Sequence, residues 1–449
     1  MFGTEEVRDR VDAMMPGVIE DLAALVRFPS VAFPGFPAEP VVACANAVVE
    51  LLKRHGAENA RLIEIPNGYP AAYAEVAGPV GAPTVLLYGH YDVQPAPMSQ
   101  GWYTDPWDPV ILDGRMHGRG SADNKSGVVI SAASLAIFEG KPPVTIRILI
   151  EGEEEADSHL EEFVEANPEL VEADLFVIND KGNLEVGAPV LTTTLRGDVS
   201  CVVEVRTIEH PLHSGVFGGP TPDALMALIR ILDTLLDEDG SCAVPGVTSR
   251  EWEGAEIPED VLRTHANLLP GVKLVGRGSI GTRLWSSPSI NVLGIDAPSI
   301  AEASNVLIPR ASAAIAMRIP PGGDPVAERE KLVEHVRSVV PWNAEVNVTP
   351  FKTLDSFSAP SGGPAFTTAL GAMEAAFGVP ANQVGSGGSI PLLGTLARLC
   401  PNAEFVLWGA EDMARARIHG SNESADIGEI ARLITAQALL LARLGDPEE

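Results

Sequence analysis

The stretch Thr84-Val85-Leu86-Leu87-Tyr88-Gly89-His90-Tyr91-Asp92 decides how the chain is read. A strand-like apolar run stops at Gly89 and delivers a histidine and a carboxylate two residues apart. In extended backbone such residues share a side, so His90 and Asp92 lie within reach of each other. A carboxylate beside an imidazole can fix its tautomer and turn the other ring nitrogen toward a metal.

Outward from this run, further strand-like segments fall at residues 71–76, 144–150 and 175–178. Helical periodicity covers residues 5–27, 40–55 (with Gly56 as C-cap) and 126–138. Strands alternating with helices predict an α/β sheet, in which reactive groups gather at strand ends. His90, the run Glu153-Glu154-Glu155 and Asp180 each follow a strand-like segment, and on that ground they are taken as one site.

Near residues 192–197 the pattern changes. A strand at 198–206 is followed by Thr221-Pro222-Asp223, suited to a helix start, and a helix over 224–237. Strands at 289–295 and 311–319, a helix at 325–339 and a strand at 344–348 complete a β-α-β-β-α-β order, the mark of a small α+β ferredoxin-like unit. Residues 239–281 are turn-rich and read as an insertion. The α/β pattern resumes at 364–377 and closes with a helix over 423–444. The expectation is a discontinuous mixed-sheet domain, residues 1–195 and 360–449, interrupted by a smaller one at 196–359.

A chain of 449 residues exceeds one ordinary core, and 45% hydrophobic with 20% charged residues suits a globular protein. The 31 basic and 61 acidic residues leave a net charge of −30, which argues against nucleic acid or anionic membrane as partner. Most of those acids read as solvated surface, but the excess is also raw material for a hard-cation site. Cys44, Cys201, Cys242 and Cys400 are scattered, as expected of thiols in a reducing cytoplasm. The first residues show no signal-peptide pattern, and no apolar stretch approaches the roughly 18 residues that span a bilayer.

Asp123 sits in Gly118-Arg119-Gly120-Ser121-Ala122-Asp123-Asn124-Lys125-Ser126-Gly127, where glycines permit tight backbone approach and a helix begins. On its own it reads equally as a helix-capping aspartate. Glu151-Gly152-Glu153-Glu154-Glu155-Ala156-Asp157 places five carboxylates in seven residues. They either face water or surround a cation, with one glutamate binding metal and a neighbour free as general base. His419 stands in a turn, Ile418-His419-Gly420-Ser421-Asn422-Glu423, that opens the last helix. His55, His159, His210, His265 and His335 read as structural or exposed, and His117, next to the Gly-rich turn, as a packing residue with support of the site as its alternative. Two histidines and three carboxylates are what two adjacent zinc-like ions need when one carboxylate bridges them.

Together these motifs resemble the M20 family of dinuclear metallopeptidases. Tyr88-Gly89-His90-Tyr91-Asp92-Val93-Gln94-Pro95 with Trp107-Asp108-Pro109 is most similar to its dipeptidase, carnosinase-like branch. The resemblance covers essentially the full chain and assigns 196–359 to a lid and dimerisation domain. It implies that Asp123 bridges two ions, with a cis Asp123–Asn124 peptide. His90 and Asp180 would complete one shell, and Glu155 and His419 the other. Glu154 would be the general base and Asp92 would orient His90. A one-residue slip, to Glu153 and Glu154, is the competing register, because Asp157 stands where the family pattern has glycine.

In the lid, His213-Ser214-Gly215 resembles the segment whose histidine stabilises the oxyanion in the partner subunit's site. Arg318, Gly388 and Ser389 match the family's grip on the substrate carboxylate, with Asn305 a further lid contact. The reading is a cytoplasmic homodimer that cleaves dipeptides or short peptides. Two divalent ions, zinc first and manganese or cobalt otherwise, activate a water with a glutamate base. An N-acyl amino acid amidohydrolase or a carboxypeptidase on the same scaffold is the alternative. A non-catalytic binding protein and a two-metal phosphoesterase are more distant ones.

Overall fold

The computed structural model describes residues 3–446. Helices α1 (Thr4–Val26) and α2 (Glu39–Arg54) lead into strands β1 (Arg61–Ile63), β2 (Ala71–Val76) and β3 (Thr84–His90). There follow α3 (Lys125–Ala136), β4 (Thr145–Glu151), β5 (Leu175–Ile178) and β6 (Val190–Leu195). The chain then leaves for a second sheet: β7 (Gly197–Arg206), α4 (Ala224–Asp233), β8 (Ser289–Asp296), β9 (Arg310–Ile319), α5 (Pro325–Ser338) and β10 (Glu345–Leu354). It returns through β11 (Phe357–Ser358), α6 (Pro364–Phe377), β12 (Asn382–Ser386), α7 (Leu392–Leu399), β13 (Glu404–Leu407) and α8 (Ile427–Leu444).

The first sheet has nine strands in the order β1-β2-β4-β3-β5-β13-β6-β11, with β12 parallel to β6. Its centre, β4-β3-β5-β13, is parallel, and the rest is mixed. Val85 and Leu87 pack into the core under α1, α2, α3, α6 and α8, while Leu86 and Tyr88 pack into the core on the opposite face, which includes α7. A strand covered on both faces has no solvent side to populate with polar residues, hence the unbroken apolar run at 84–88. Parallel neighbours also end together, so His90, Glu151 and Ile178 bring their following loops to one edge.

The second sheet, β8-β9-β7-β10, is wholly antiparallel. Val199, Cys201 and Val203 of β7 meet Leu228 of α4 and Leu332 of α5 in a core of its own. This is the ferredoxin-like arrangement expected from the β-α-β-β-α-β order.

Three local expectations shift. The helix expected over 224–237 stops at Asp233. The last helix starts at Ile427 rather than 423, because Ser424–Asp426 first pair with Arg115–His117 and Asp426 then accepts the Glu429 N–H as N-cap. The 239–281 insertion is better ordered than its turn-rich composition indicates. It carries a short helix at Glu259–His265, and Trp252 lies edge-on to Trp285 at 4.9 Å in a cluster with Val190 of β6 and Val384 of β12. Among the described residues all four cysteines are free thiols, and no helix is long and apolar enough to cross a membrane.

Candidate active site

His90 ends β3 fully buried. Its Nε2 lies 3.1 Å from Asp123 Oδ1, 3.3 Å from Asp180 Oδ1 and 3.9 Å from Glu154 Oε2. On the other side of the ring, Nδ1 is 3.1 Å from the Asp92 main-chain oxygen and 3.4 Å from its carboxylate. That carboxylate is engaged further on: Oδ1 accepts the Glu154 N–H and Oδ2 the Glu155 N–H, both at 3.0 Å. Asp92 thus holds both the imidazole and the turn after β4.

Asp123 stands between two imidazoles, its Oδ1 toward His90 and its Oδ2 3.1 Å from His419 Nε2. The Asp123–Asn124 peptide is cis. A residue not singled out from sequence fixes this loop. Glu423, with no solvent exposure, accepts the N–H groups of Gly120, Ala122 and Asp123 at 3.0–3.1 Å and pairs with Arg119 at 2.5 Å. Arg119 in turn donates to the Gly420 carbonyl at 3.0 Å, beside His419. One buried ion pair therefore ties the Asp123 loop to the His419 turn.

Of the three consecutive glutamates, Glu153 turns away and meets His159 Nδ1 at 3.2 Å. Glu155 faces His419 at 3.2 Å and accepts Gln94 Nε2 at 2.8 Å. The Glu154 side chain is 13% exposed and lies beside His90 without a hydrogen bond to its carboxylate among the described residues. Two groups of donors result, His90-Asp123-Asp180 and Asp123-Glu155-His419, each with its atoms within 4.8 Å of one another and with Asp123 in both.

The electrostatics follow from this crowding. Burial opposes a charged His90, but hydrogen bonds with Asp123, Asp180 and Asp92 outweigh it and hold its pKa well above the usual value. Hydrogen bonds with Asp123 and Glu155 push His419 up to about 10. Burial would raise Asp123, yet the hydrogen bonds from His419 and His90 keep it below the ordinary carboxylate range. Glu154 is raised well above that range by burial and, against the pull of His90, by Asp180, Glu155 and Asp123. Acids displaced in opposite directions within one cluster mark a functional site. Imidazole and carboxylate donors in two groups sharing an aspartate fit divalent cations, whose charge would offset the packed carboxylates.

The cluster opens into a cavity of about 640 Å³ between the two sheets. Its far wall includes Arg318 and Lys352 of the second sheet and the Gly387-Gly388-Ser389 turn. Arg318 is loosely held, with Nε 3.8 Å from Asp198. The Ser389 hydroxyl donates to the Arg196 carbonyl. Lys181 and Glu411, neither of them read from sequence, also line the cavity. His213 and Asn305 do not. They are neighbours on the exposed lid, where Ser214 N donates to the Asn305 carbonyl at 2.9 Å and His213 accepts the Gly215 N–H.

Histidines and carboxylates gathered at the C-terminal ends of parallel strands, with one aspartate common to two donor groups, define a metallohydrolase-type centre. The chain belongs to peptidase family M20/M25/M40, whose family model matches residues 86–443. It is 39% identical over 379 residues to the cysteinylglycine-S-conjugate dipeptidase of Corynebacterium striatum, covering 82% of this chain and 83% of that one. It is 29% identical to the Beta-Ala-His dipeptidase of Rattus norvegicus, over 73% of this chain and 72% of the relative. Among solved structures, human carnosine dipeptidase 1 superposes with a TM-score of 0.83 at 25% identity and covers 98% of both chains.

Proposed function

We propose that this chain is a metal-dependent dipeptidase working with two divalent ions, zinc foremost and manganese or cobalt as substitutes. The observation that carries the reading is Asp123, each of whose carboxylate oxygens lies 3.1 Å from a different imidazole, with Glu154 left free beside them. The dipeptidase names of the relatives supply the substrate class.

In this reading His90 and Asp180 hold one ion, Glu155 and His419 the other, and Asp123 both. When bound, the ions supply Lewis-acid charge and make a neighbouring water easier to deprotonate. Glu154 takes the water's proton and returns it to the departing amine. Its raised proton affinity suits a group that must hold a proton between the two steps. Asp92 keeps Glu154 and Glu155 in place through their N–H groups and steadies His90 through its carbonyl. Arg318 and the Gly388-Ser389 turn receive the substrate's carboxylate. His213, with Asn305 beside it, belongs to the partner subunit's site and opposes oxyanion charge there. Residues 1–195 and 360–449 form the catalytic unit and 196–359 the lid, in a homodimer set in the cytoplasm, where free thiols persist.

The test joins metal analysis of the purified protein to a panel of dipeptides, tripeptides and N-acetyl amino acids. Two ions per chain and preferential turnover of dipeptides are expected. Turnover of N-acetyl amino acids alone would replace the dipeptidase by a deacylase.

A further inference from the structure

Arg196 is the residue that joins β6 to β7, and no carboxylate among the described residues pairs with it. Its Nη1 donates to Ser289 Oγ at 3.0 Å, while its Nε is buried without an acceptor. Ser289 is the cross-strand neighbour of Arg318, whose neighbour on the other side is Asp198. The register therefore brings two guanidinium groups near each other, Arg318 lining the cavity and Arg196 held through Ser289 next to it. A Cβ on Gly387 would stand 2.9 Å from Arg196 Nη2, so the guanidinium lies directly against the Gly387-Gly388-Ser389 turn. The same turn is tied to Arg196 by its main chain: Ser389 Oγ donates to the Arg196 carbonyl, and the Arg196 N–H donates to the Ser386 carbonyl at 3.2 Å.

This corner is short of negative charge. Asp198 is the acid near Arg318, 3.8 Å away, and its Oδ1 has no hydrogen bond. A buried cation without a counter-ion is costly, and a like charge nearby adds to the cost. Burial and then Arg318 pull the Arg196 pKa down to about 10, in keeping with that strain. An anion placed between the Gly388-Ser389 turn and Arg318 would relieve both guanidinium groups at once.

We propose that Arg196 is a second cationic anchor for the substrate's free carboxylate, acting with Arg318 across the Gly387 turn. The inference rests on the peptidase reading above and sharpens it. The site would select substrates that end in a free carboxylate one residue beyond the scissile bond, and would discriminate against C-terminal amides.

The experiment uses the metal-loaded enzyme with L-alanyl-L-alanine and its C-terminal amide. Arg196→Met should raise KM for the dipeptide about 30-fold, the scale of one hydrogen bond to a charged group, with kcat changed less than about threefold. The kcat/KM for the amide should stay within about threefold, and Arg196→Lys should recover part of the loss. An unchanged KM, or equal losses on dipeptide and amide, would overturn the proposal. If Arg196→Met fails to fold, Arg196→Lys carries the test, with an intermediate KM expected on the dipeptide alone. A wild-type enzyme that cleaves no dipeptide removes the dipeptidase reading instead. The Arg196 comparison then moves to N-acetyl-L-alanine, which presents the same carboxylate, and turnover of neither substrate sinks both.

Discussion

Glu154 and Glu155 are adjacent in sequence and face different work because Asp92 holds both of their N–H groups. With the backbone fixed there, one side chain meets His419 and the other stands free beside His90. Glu154→Gln should keep both ions and lower kcat roughly a hundred- to ten-thousand-fold. Glu155→Ala should instead lose metal, read by elemental analysis after gel filtration. Near-normal turnover in Glu154→Gln would remove it as the base. The two imidazoles make a separate prediction. His90 and His419 both have raised pKa values, so in chelator-stripped protein each ring holds a proton more tightly than a free imidazole, and incoming ions compete with that proton. The sign is that of a raised base. For His419, the protonated ring stabilises the metal-free fold fully below 6.5, and that contribution is lost as pH rises through about 10. Metal affinity moves oppositely and climbs over the same interval. Calorimetric titration of metal at pH 7, in buffers of different ionisation heat, should report a net release of protons. Heats independent of buffer would contradict the arrangement.

Apart from His90 at the end of β3, the candidate metal-binding residues sit on turns and loops, which need to be held. The Arg119–Glu423 pair does this for two of them, from positions 304 residues apart. Glu423→Gln loses the charge and one of the oxygens that gather three N–H groups, and leaves Arg119 buried without its partner. In the proposed two-ion site, an ion at Asp123, Glu155 and His419 should then bind about 10- to 100-fold more weakly, while one at His90 and Asp180 changes less than about threefold. Chelator competition resolves the two sites, and equal weakening of both would mean a general loss of structure. This pair also shows where sequence reading stops. His90, Asp123 and the glutamate run were legible because each interrupts a strand or helix pattern with unusual chemistry. Glu423 was not, since nothing local distinguishes a clamp from a helix-start glutamate and its partner lies far along the chain. Strands 84–88 and 175–178 were legible as apolar runs because both of their faces are covered. β12, Asn382–Ser386, is a strand through its pairing with β6 rather than through its own composition. Nothing local in the sequence singles out Arg196, and only the register against Ser289 and Arg318 shows what it lies beside.

At the scale of the whole molecule, His213 does not line the cavity of its own chain, and the proposed homodimer needs a surface on the second sheet's domain for a second copy. β8 is an edge strand, with Val292 45%, Leu293 60% and Ile295 49% exposed, and Met226 and Ile229 of α4 are exposed on the same lid. An apolar edge of this kind invites pairing unless a partner covers it, and a two-fold pairing would bring each lid to the other protomer. Ile295→Asp should therefore yield a monomer by light scattering that keeps its metals and loses most of its kcat. Complementation tests the crossing of His213 directly. His213→Ala and Glu154→Gln protomers are each expected to be inactive as homodimers. Co-expressed, half of the dimers would be mixed, and in each of these the His213→Ala protomer keeps its own Glu154 and receives an intact His213 from its partner. About a quarter of wild-type activity should return, one working site in every four. If His213 served its own chain, every site in the mixed dimer would lack one of the two residues, and the mixture would stay as inactive as its parts.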